Sequence, residues 1–464
     1  MSAAPARLRF DSGTLLLSGA RPDELGELHS LAWQWDGRVS AWRLEALHYP
    51  RVRSLLPGTG VADEVGVPLE VGWPEPALPK LRADQEAAVG AFFASSGRGL
   101  VVMPTGTGKT EVALAAMQRA SVATLVVAPV RDLMYQWHRR IRRGLGYDAG
   151  ILGDSNRDVR PVTVTTYDSA YIHMAELGAR FGMVVYDEVH HLPGKCRREA
   201  AIFCAAPLRL GLSATPERSD GAHADLDWLV GPVVYRQAVT AAKGRTLADY
   251  DVVRIPVELT ERERKIYEQA GREVSSFISE QREDYPEYGF KDLCADCGKD
   301  PAARAAQKAF RLRKAIEDRA QEKLRVLEDV FRLHAGERVI VFAGSNAMAF
   351  AASRRFLAPT ILSHTGKRER MEVLDGFEKG RFKVLVANQV LDEGVDVPAA
   401  KVAVVIGGQA STRQAKQRLG RILRRSGQAK ATLYEVVCED TGEIERSRSR
   451  RRSDAYGRSV HRQG

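Results

Sequence analysis

The chain has 464 residues, 44% hydrophobic and 28% charged, with 69 Lys and Arg against 59 Asp and Glu for a net charge of +10. These proportions exclude a disordered or fibrous chain, and no apolar run approaches the roughly 20 residues that a membrane span needs. Five cysteines are too few for a disulfide scaffold and the N-terminus has no secretory apolar core, so a reducing, cytoplasmic setting is expected. The basic balance permits a polyanionic partner without requiring one.

Residues 1–78 read as a small mixed α/β unit with short alternating segments at 14–17 and 38–43. It carries tryptophans at 33, 35 and 42 and ends in the proline-rich stretch 71–79. The tryptophans suit base stacking, but burial in so small a core is the commoner fate and is the expectation here. From 79 to 240, apolar runs at 99–102, 123–128, 162–165, 183–186 and 208–212 alternate with helical stretches. That pattern predicts a parallel sheet covered on both faces. The texture returns from 336 to 440, with runs at 338–343, 360–363, 383–387, 402–406 and 431–437. Between them, 241–335 is charged, and helical spacing predicts helices at 261–280 and 302–334. The tail, 441–464, carries the basic run 446–452, which reads as disorder or a solvated helix face, or more rarely a phosphate contact.

Three elements carry chemistry. Met103-Pro104-Thr105-Gly106-Thr107-Gly108-Lys109-Thr110 follows a predicted strand and precedes a predicted helix at 111–118. Such a glycine-rich turn aims backbone N–H groups and a helix N-terminus at one phosphate. Lys109 reaches the β- and γ-phosphates, and the Thr110 hydroxyl suits magnesium. The usual pattern opens with glycine, where this chain has Met103. Second, the run 183–186 ends in Asp187-Glu188-Val189-His190. At the carboxyl end of a parallel strand, Asp187 would hold magnesium through water, and Glu188 would orient and deprotonate an attacking water. Third, Gln417, Arg421 and Arg424 fall on one helix face in Gln417-Arg418-Leu419-Gly420-Arg421-Ile422-Leu423-Arg424, where arginines can stabilise a transferring phosphoryl group.

In this order, across two α/β domains, these elements resemble superfamily 2 helicases and translocases, and the resemblance spans 80–440. Leu81-Arg82-Ala83-Asp84-Gln85 is similar to their adenine-reading motif. Ser213-Ala214-Thr215-Pro216 resembles their coupling motif, and 391–398 resembles the segment that contacts ribose and γ-phosphate. The resemblance implies two RecA-like parallel-sheet domains with a small N-terminal α/β domain and a thumb-like helical insertion. It implies ATP and magnesium as cofactors, with Gln85 reading adenine. Thr105, Gly106, Thr107, Gly108, Lys109, Thr110, Gly394 and Asp396 would bind the nucleotide. Arg421 and Arg424 would be arginine fingers, and His190 and Gln417 would link ATP to the nucleic-acid groove. Strand contacts would involve Arg131, Gln136, Thr165, Thr166, Arg218, Gly344, His364 and Gly366, gripping phosphates without reading sequence.

The boxes at 187–190, 211–221 and 229–235, with the N-terminal segment 8–15, are similar to the XPB family and its compact archaeal-type members. That implies a monomeric 3′-to-5′ DNA helicase in nucleotide excision repair. The alternative is a duplex translocase serving a nuclease partner or defence system without free unwinding. The family's Arg-Glu-Asp element survives only as Arg218 and Asp220. Cys294 and Cys297 resemble half a zinc site without the other two ligands, and no metal is expected there.

Overall fold

A computed structural model describes residues 5–66, 68–218, 220–238, 250–362, 364–388, 400–407, 431–451 and 460–461. Two units divide the chain, Met1–Ala238 and Val239–Gly464.

The first unit begins with β1 (Arg7–Asp11), β2 (Thr14–Ser18), β3 (Gln34–Asp36), β4 (Ala41–Glu45) and β5 (Ala62–Asp63), in the order β3-β4-β2-β1-β5. Strand alternation puts Leu8, Leu17 and Trp42 side by side on one face, which packs on Tyr49 and Val52 of the helix Tyr49–Leu55. The strand expected at 38–43 begins only at Ala41, because residues 37–40 form a turn with Ser40 at φ +48°. The module is seated on the domain that follows it. A Cβ on Gly13 would lie 2.5 Å from Phe203 Cγ, and Ala179 and Ala205 join the same apolar cluster as Leu8. Trp33 and Trp42 pack against this core as expected. Trp35 does not: it is 56% exposed, because β3 is an edge strand of three residues and the core runs out beneath it.

The large sheet of this unit contains β6 (Arg98–Val102), β7 (Thr124–Ala128), β8 (Gly150–Gly153), β9 (Asn156–Arg157), β10 (Val162–Thr166), β11 (Met183–Tyr186), β12 (Leu208–Ser213) and β13 (Val233–Arg236). Their order is β13-β6-β12-β11-β7-β10-β8-β9, parallel except for the β8–β9 pair. The five predicted runs are all strands. One face is covered by Val112, Leu114, Met134, Trp137 and Ile141, the other by Tyr167, Met174, Leu177, Leu192 and Ile202. Burial on both faces is why the runs read as unbroken apolar stretches.

The second unit holds β14 (Tyr250–Val257), β15 (Val339–Phe342), β16 (Thr360–Ile361), β17 (Val384–Ala387), β18 (Val402–Val405), β19 (Ala431–Cys438) and β20 (Val460–His461). They lie in the order β16-β17-β15-β18-β19-β14-β20 with parallel pairings throughout. The helices Glu261–Asp284 and Pro301–Arg319 pack through Ala270, Val274 and Ala309. The helical run expected at 302–334 breaks at Ala320, which is buried with extended backbone (φ −49°, ψ 129°), and resumes as Gln321–Leu333. Glu263 Oε1 accepts the Gln321 N–H there at 3.2 Å.

Residues 441–448 at the start of the basic tail are neither loose nor evenly solvated. There the chain forms the helix Glu443–Arg451, whose Glu443 makes a buried ion pair with Lys323 at 2.8 Å. Lys323 Nζ also donates to Ile406 O at 3.1 Å, and Cys438 N–H donates to Glu443 Oε2 at 2.9 Å. Arg446 pairs with buried Glu317, whose Oε1 accepts the Tyr267 hydroxyl at 2.8 Å and Gly442 N–H at 3.1 Å. Ser447 Oγ donates to Glu435 Oε2 at 2.9 Å, whereas Arg448 stays at the surface.

Candidate active site

β6 stops at Val102, and the chain turns through 103–108 into the helix Lys109–Ala120. Gly106 and Gly108 have φ +84° and +80°, a region in which side chains are strained. At Gly108 a Cβ would also meet Gln85 Nε2 at 2.4 Å. Met103, the departure at the loop's head, is fully buried in the core, and its N–H donates to Ser213 O at 3.0 Å. The position is thus a packing anchor, and the phosphate-facing turn begins after it. Thr107 Oγ1 donates to Pro104 O at 2.6 Å and Lys109 Nζ to Met103 O at 3.1 Å. Thr105 Oγ1 is buried with no hydrogen-bond partner, an orphaned polar atom that a phosphate oxygen would satisfy.

Gln85 is buried against this loop. Its Nε2 lies 3.3 Å from the carbonyls of both Thr107 and Gly108, while its Oε1 accepts Arg82 N–H at 3.0 Å. Arg82 donates to Thr107 O as well. Adenine reading by Gln85 therefore requires the exchange of one of these bonds.

β11 delivers Asp187 and Glu188 at the same end of the parallel sheet. Asp187 Oδ2 accepts Trp137 Nε1–H at 2.8 Å, and Oδ1 accepts Glu188 N–H at 3.0 Å. Asp187 O accepts the Tyr167 hydroxyl at 2.9 Å. Burial and the neighbouring Glu188 charge hold the Asp187 carboxyl above the usual carboxylate range, against the pull of Trp137 and Lys109. Glu188 sits in the left-handed region at φ 46°, ψ 56°, a strain that marks functional turns. Its Oε2 is buried without a hydrogen-bond partner, 3.5 Å from His190 Nδ1. An open carboxylate oxygen beside a carboxyl of raised pKa fits a divalent cation and a polarised water.

From there a chain of contacts leads away. His190 Nδ1 lies 3.3 Å from Ser213 Oγ, which accepts Thr215 N–H at 3.1 Å. His190 O accepts Arg218 Nη1–H at 2.7 Å, and the rest of that guanidinium grips Asp220 at 2.9 and 2.5 Å. Arg218, expected at nucleic acid, is thus bonded within the protein. The other expected strand contacts vary. Arg131 is exposed and paired with Asp154 at 2.7 Å, and Gln136 is half-buried. Thr165 Oγ1 donates to Leu152 O at 2.8 Å, and Thr166 Oγ1 caps the helix Tyr167–Leu177 by accepting Ser169 N–H at 3.3 Å. In the second unit, Gly344 follows β15, His364 is exposed, and Gly366 caps the helix Lys367–Glu378. Gly394, Asp396, Gln417, Arg421 and Arg424 lie outside the described residues.

Trp137 and Tyr167, which lie in segments resembling strand contacts, instead bond Asp187, while Ser213 of the coupling motif and Arg82 of the adenine motif bond the glycine-rich loop, positions that the motifs alone do not give. Trp137 left a signal, since Met134, Trp137, Ile141 and Leu145 form an inward stripe at helical spacing.

Three family models match the chain. The Xeroderma pigmentosum group B helicase damage recognition domain covers residues 8–65. The type III restriction enzyme res subunit covers 78–218, and the ERCC3/RAD25/XPB C-terminal helicase covers 307–454. A protein of Sulfurisphaera tokodaii named DNA 3′-5′ translocase XPB2 is 38% identical over 433 residues, covering 92% of this chain and 97% of that one. The chain belongs to the XPB helicase family. Another relative, the DNA 3′-5′ helicase XPB of Kineococcus radiotolerans, is 31% identical, and 63% of its length is spanned. Among solved structures, the Hef helicase domain of Pyrococcus furiosus superposes with a TM-score of 0.55 at 18% identity, covering 80% of this chain and 98% of that one. S. cerevisiae Dbp5 bound to RNA and ADP BeF3 does so at 0.55 and 16%, covering 83% and 89%. At such identities these neighbours show only that the chain shares their fold.

Proposed function

We propose that the protein is an ATP-driven DNA helicase or translocase that moves 3′ to 5′ in nucleotide excision repair. The observation that carries this reading is the open Glu188 carboxylate beside Asp187, at the sheet end that also bears Lys109, in a member of the XPB family. Lys109 and the first N–H groups of its helix would hold the phosphates, and Thr110 and Asp187 would hold magnesium. Bound ATP with magnesium supplies the phosphoryl group and the charge that polarises it. Glu188 orients the attacking water and takes its proton, and His190 passes the change towards Ser213 and Thr215. Arg421 and Arg424 stabilise the charge that develops on transfer. DNA as the track, a monomeric state and a cytoplasmic setting belong to the same proposal; relatives named as DNA helicases and translocases support the first, and the basic balance permits it. Among the described residues no helix is long and apolar enough to cross a membrane.

Strand displacement on duplexes with 3′ or 5′ tails, alongside ATPase with and without DNA, tests this. The expected result is DNA-stimulated hydrolysis and displacement from the 3′-tailed substrate alone. Stimulated hydrolysis without displacement reduces the activity to tracking along duplex. Hydrolysis indifferent to DNA overturns the reading.

A further inference from the structure

We infer that Trp35, at the rim of the N-terminal sheet, is a stacking platform for a DNA base that has left the duplex stack. The inference rests on the DNA-directed function proposed above and names the residue and the DNA feature involved.

The apolar face of this sheet fades outward in steps. Leu8, Leu17, Trp42 and Trp35 lie abreast across β1, β2, β4 and β3. Leu8 is 0% exposed and Leu17 1%, Trp42 is half-buried, and Trp35 is 56% exposed. The face therefore ends in an aromatic ledge. The ledge is braced. Trp42 meets Trp35 edge-to-face with ring centroids 5.4 Å apart, and the turn below is fixed by Asp36. Asp36 accepts Arg38 Nε–H at 2.9 Å and Nη2–H at 2.8 Å, and Arg43 Nε–H at 2.6 Å.

Two features select the occupant. A braced indole offers a π-face at little entropic loss, which suits stacking irrespective of base identity. Of the flanking arginines, Arg43 is tied to Asp36 and Asp11, while Arg38, 84% exposed, offers its charge to any nearby phosphate, which serves paired and unpaired DNA alike and selects neither. A fully paired duplex has no free base face to give it, whereas a bulged or unpaired base does. The module is also the segment that matches the helicase damage recognition domain.

The test compares the full chain with Trp35→Ala and Trp35→Phe on duplexes that are fully paired or carry one unpaired 2-aminopurine, by anisotropy and by 2-aminopurine emission. For Trp35→Ala, affinity for the bulged duplex should fall about five- to hundred-fold, the range of one lost stacking contact. Affinity for the paired duplex and the ATPase it stimulates should stay within about twofold. Trp35→Phe should restore most of the difference, and emission quenched in the wild-type complex should return with Trp35→Ala. Equal losses on both duplexes, no loss on either, or unquenched wild-type emission overturns the inference while leaving the DNA-directed reading standing. A wild-type protein that binds neither duplex overturns both. Unchanged emission between wild type and Trp35→Phe at saturating protein, with Trp35→Ala well folded, supports ring stacking over a polar contact of the indole N–H.

Discussion

Two pairs of buried carboxylates, Glu317 and Glu443 in the second unit and Asp187 and Glu188 in the first, are treated in opposite ways. In the second, Glu443 and Glu317 are saturated: Lys323 and Cys438 N–H serve one, and Arg446, Tyr267 and Gly442 N–H serve the other. In the first, Glu188 keeps a buried oxygen unbonded in a strained turn, and Asp187 is held above its ordinary pKa. Buried charge that is fully satisfied is scaffold, while buried charge left open at the carboxyl ends of parallel strands is a site awaiting its ligand.

The largest expected effect breaks the open side. Glu188→Gln should lower the kcat of DNA-stimulated ATP hydrolysis by about 10²–10⁴-fold with nucleotide binding retained, measured by steady-state kinetics and a fluorescent ATP analogue. Lys109→Ala should lose the binding itself, whereas Arg424→Ala should keep binding and lose turnover. Equal loss of binding in these two variants would dissolve that division of labour.

Next comes the saturated side. Lys323→Met strands Glu443 in the interior and should destabilise the second unit by about 3–5 kcal/mol, and adding Glu443→Leu should recover much of it. All six tryptophans, at 33, 35, 42, 73, 137 and 228, precede residue 239. Urea unfolding should therefore shift in far-ultraviolet circular dichroism while tryptophan emission holds its midpoint. A matching shift in both signals would mean the network is not local.

Arg218→Ala sits between the two sides, since its guanidinium is bonded but its anchor is the backbone of His190. Unwinding should fall more than DNA-stimulated ATPase; equal loss would show that Arg218 acts only by holding the His190 turn. The smallest effect belongs to Thr166→Ala, which removes a helix cap and should cost about 1 kcal/mol in the tryptophan-monitored transition. A large fall in DNA affinity instead would restore this hydroxyl as a strand contact.

The sheets were legible because strands buried on both faces announce themselves as apolar runs, and the loop and carboxylates because their spacing is chemical. What escaped depends on partners far along the chain. Ala320 breaks a helix where Glu263 captures the next N–H. The helix that opens the basic tail forms where Glu317 and Lys323, more than a hundred residues earlier, meet Arg446 and Glu443. Trp35 is exposed because of strand order, which composition does not encode. Gln85 was found by its motif, yet its bonds to the loop's carbonyls need the fold to bring Thr107 beside it.

At its seam with the next domain, the N-terminal module is packed so closely that Gly13 has no room for even a methyl group beside the Phe203 ring. Five residues after Phe203 the chain enters β12, whose far end, Ser213, receives both the Met103 N–H and the His190 imidazole. The seat of the module and the glycine-rich loop are thus joined through one strand and the five residues before it.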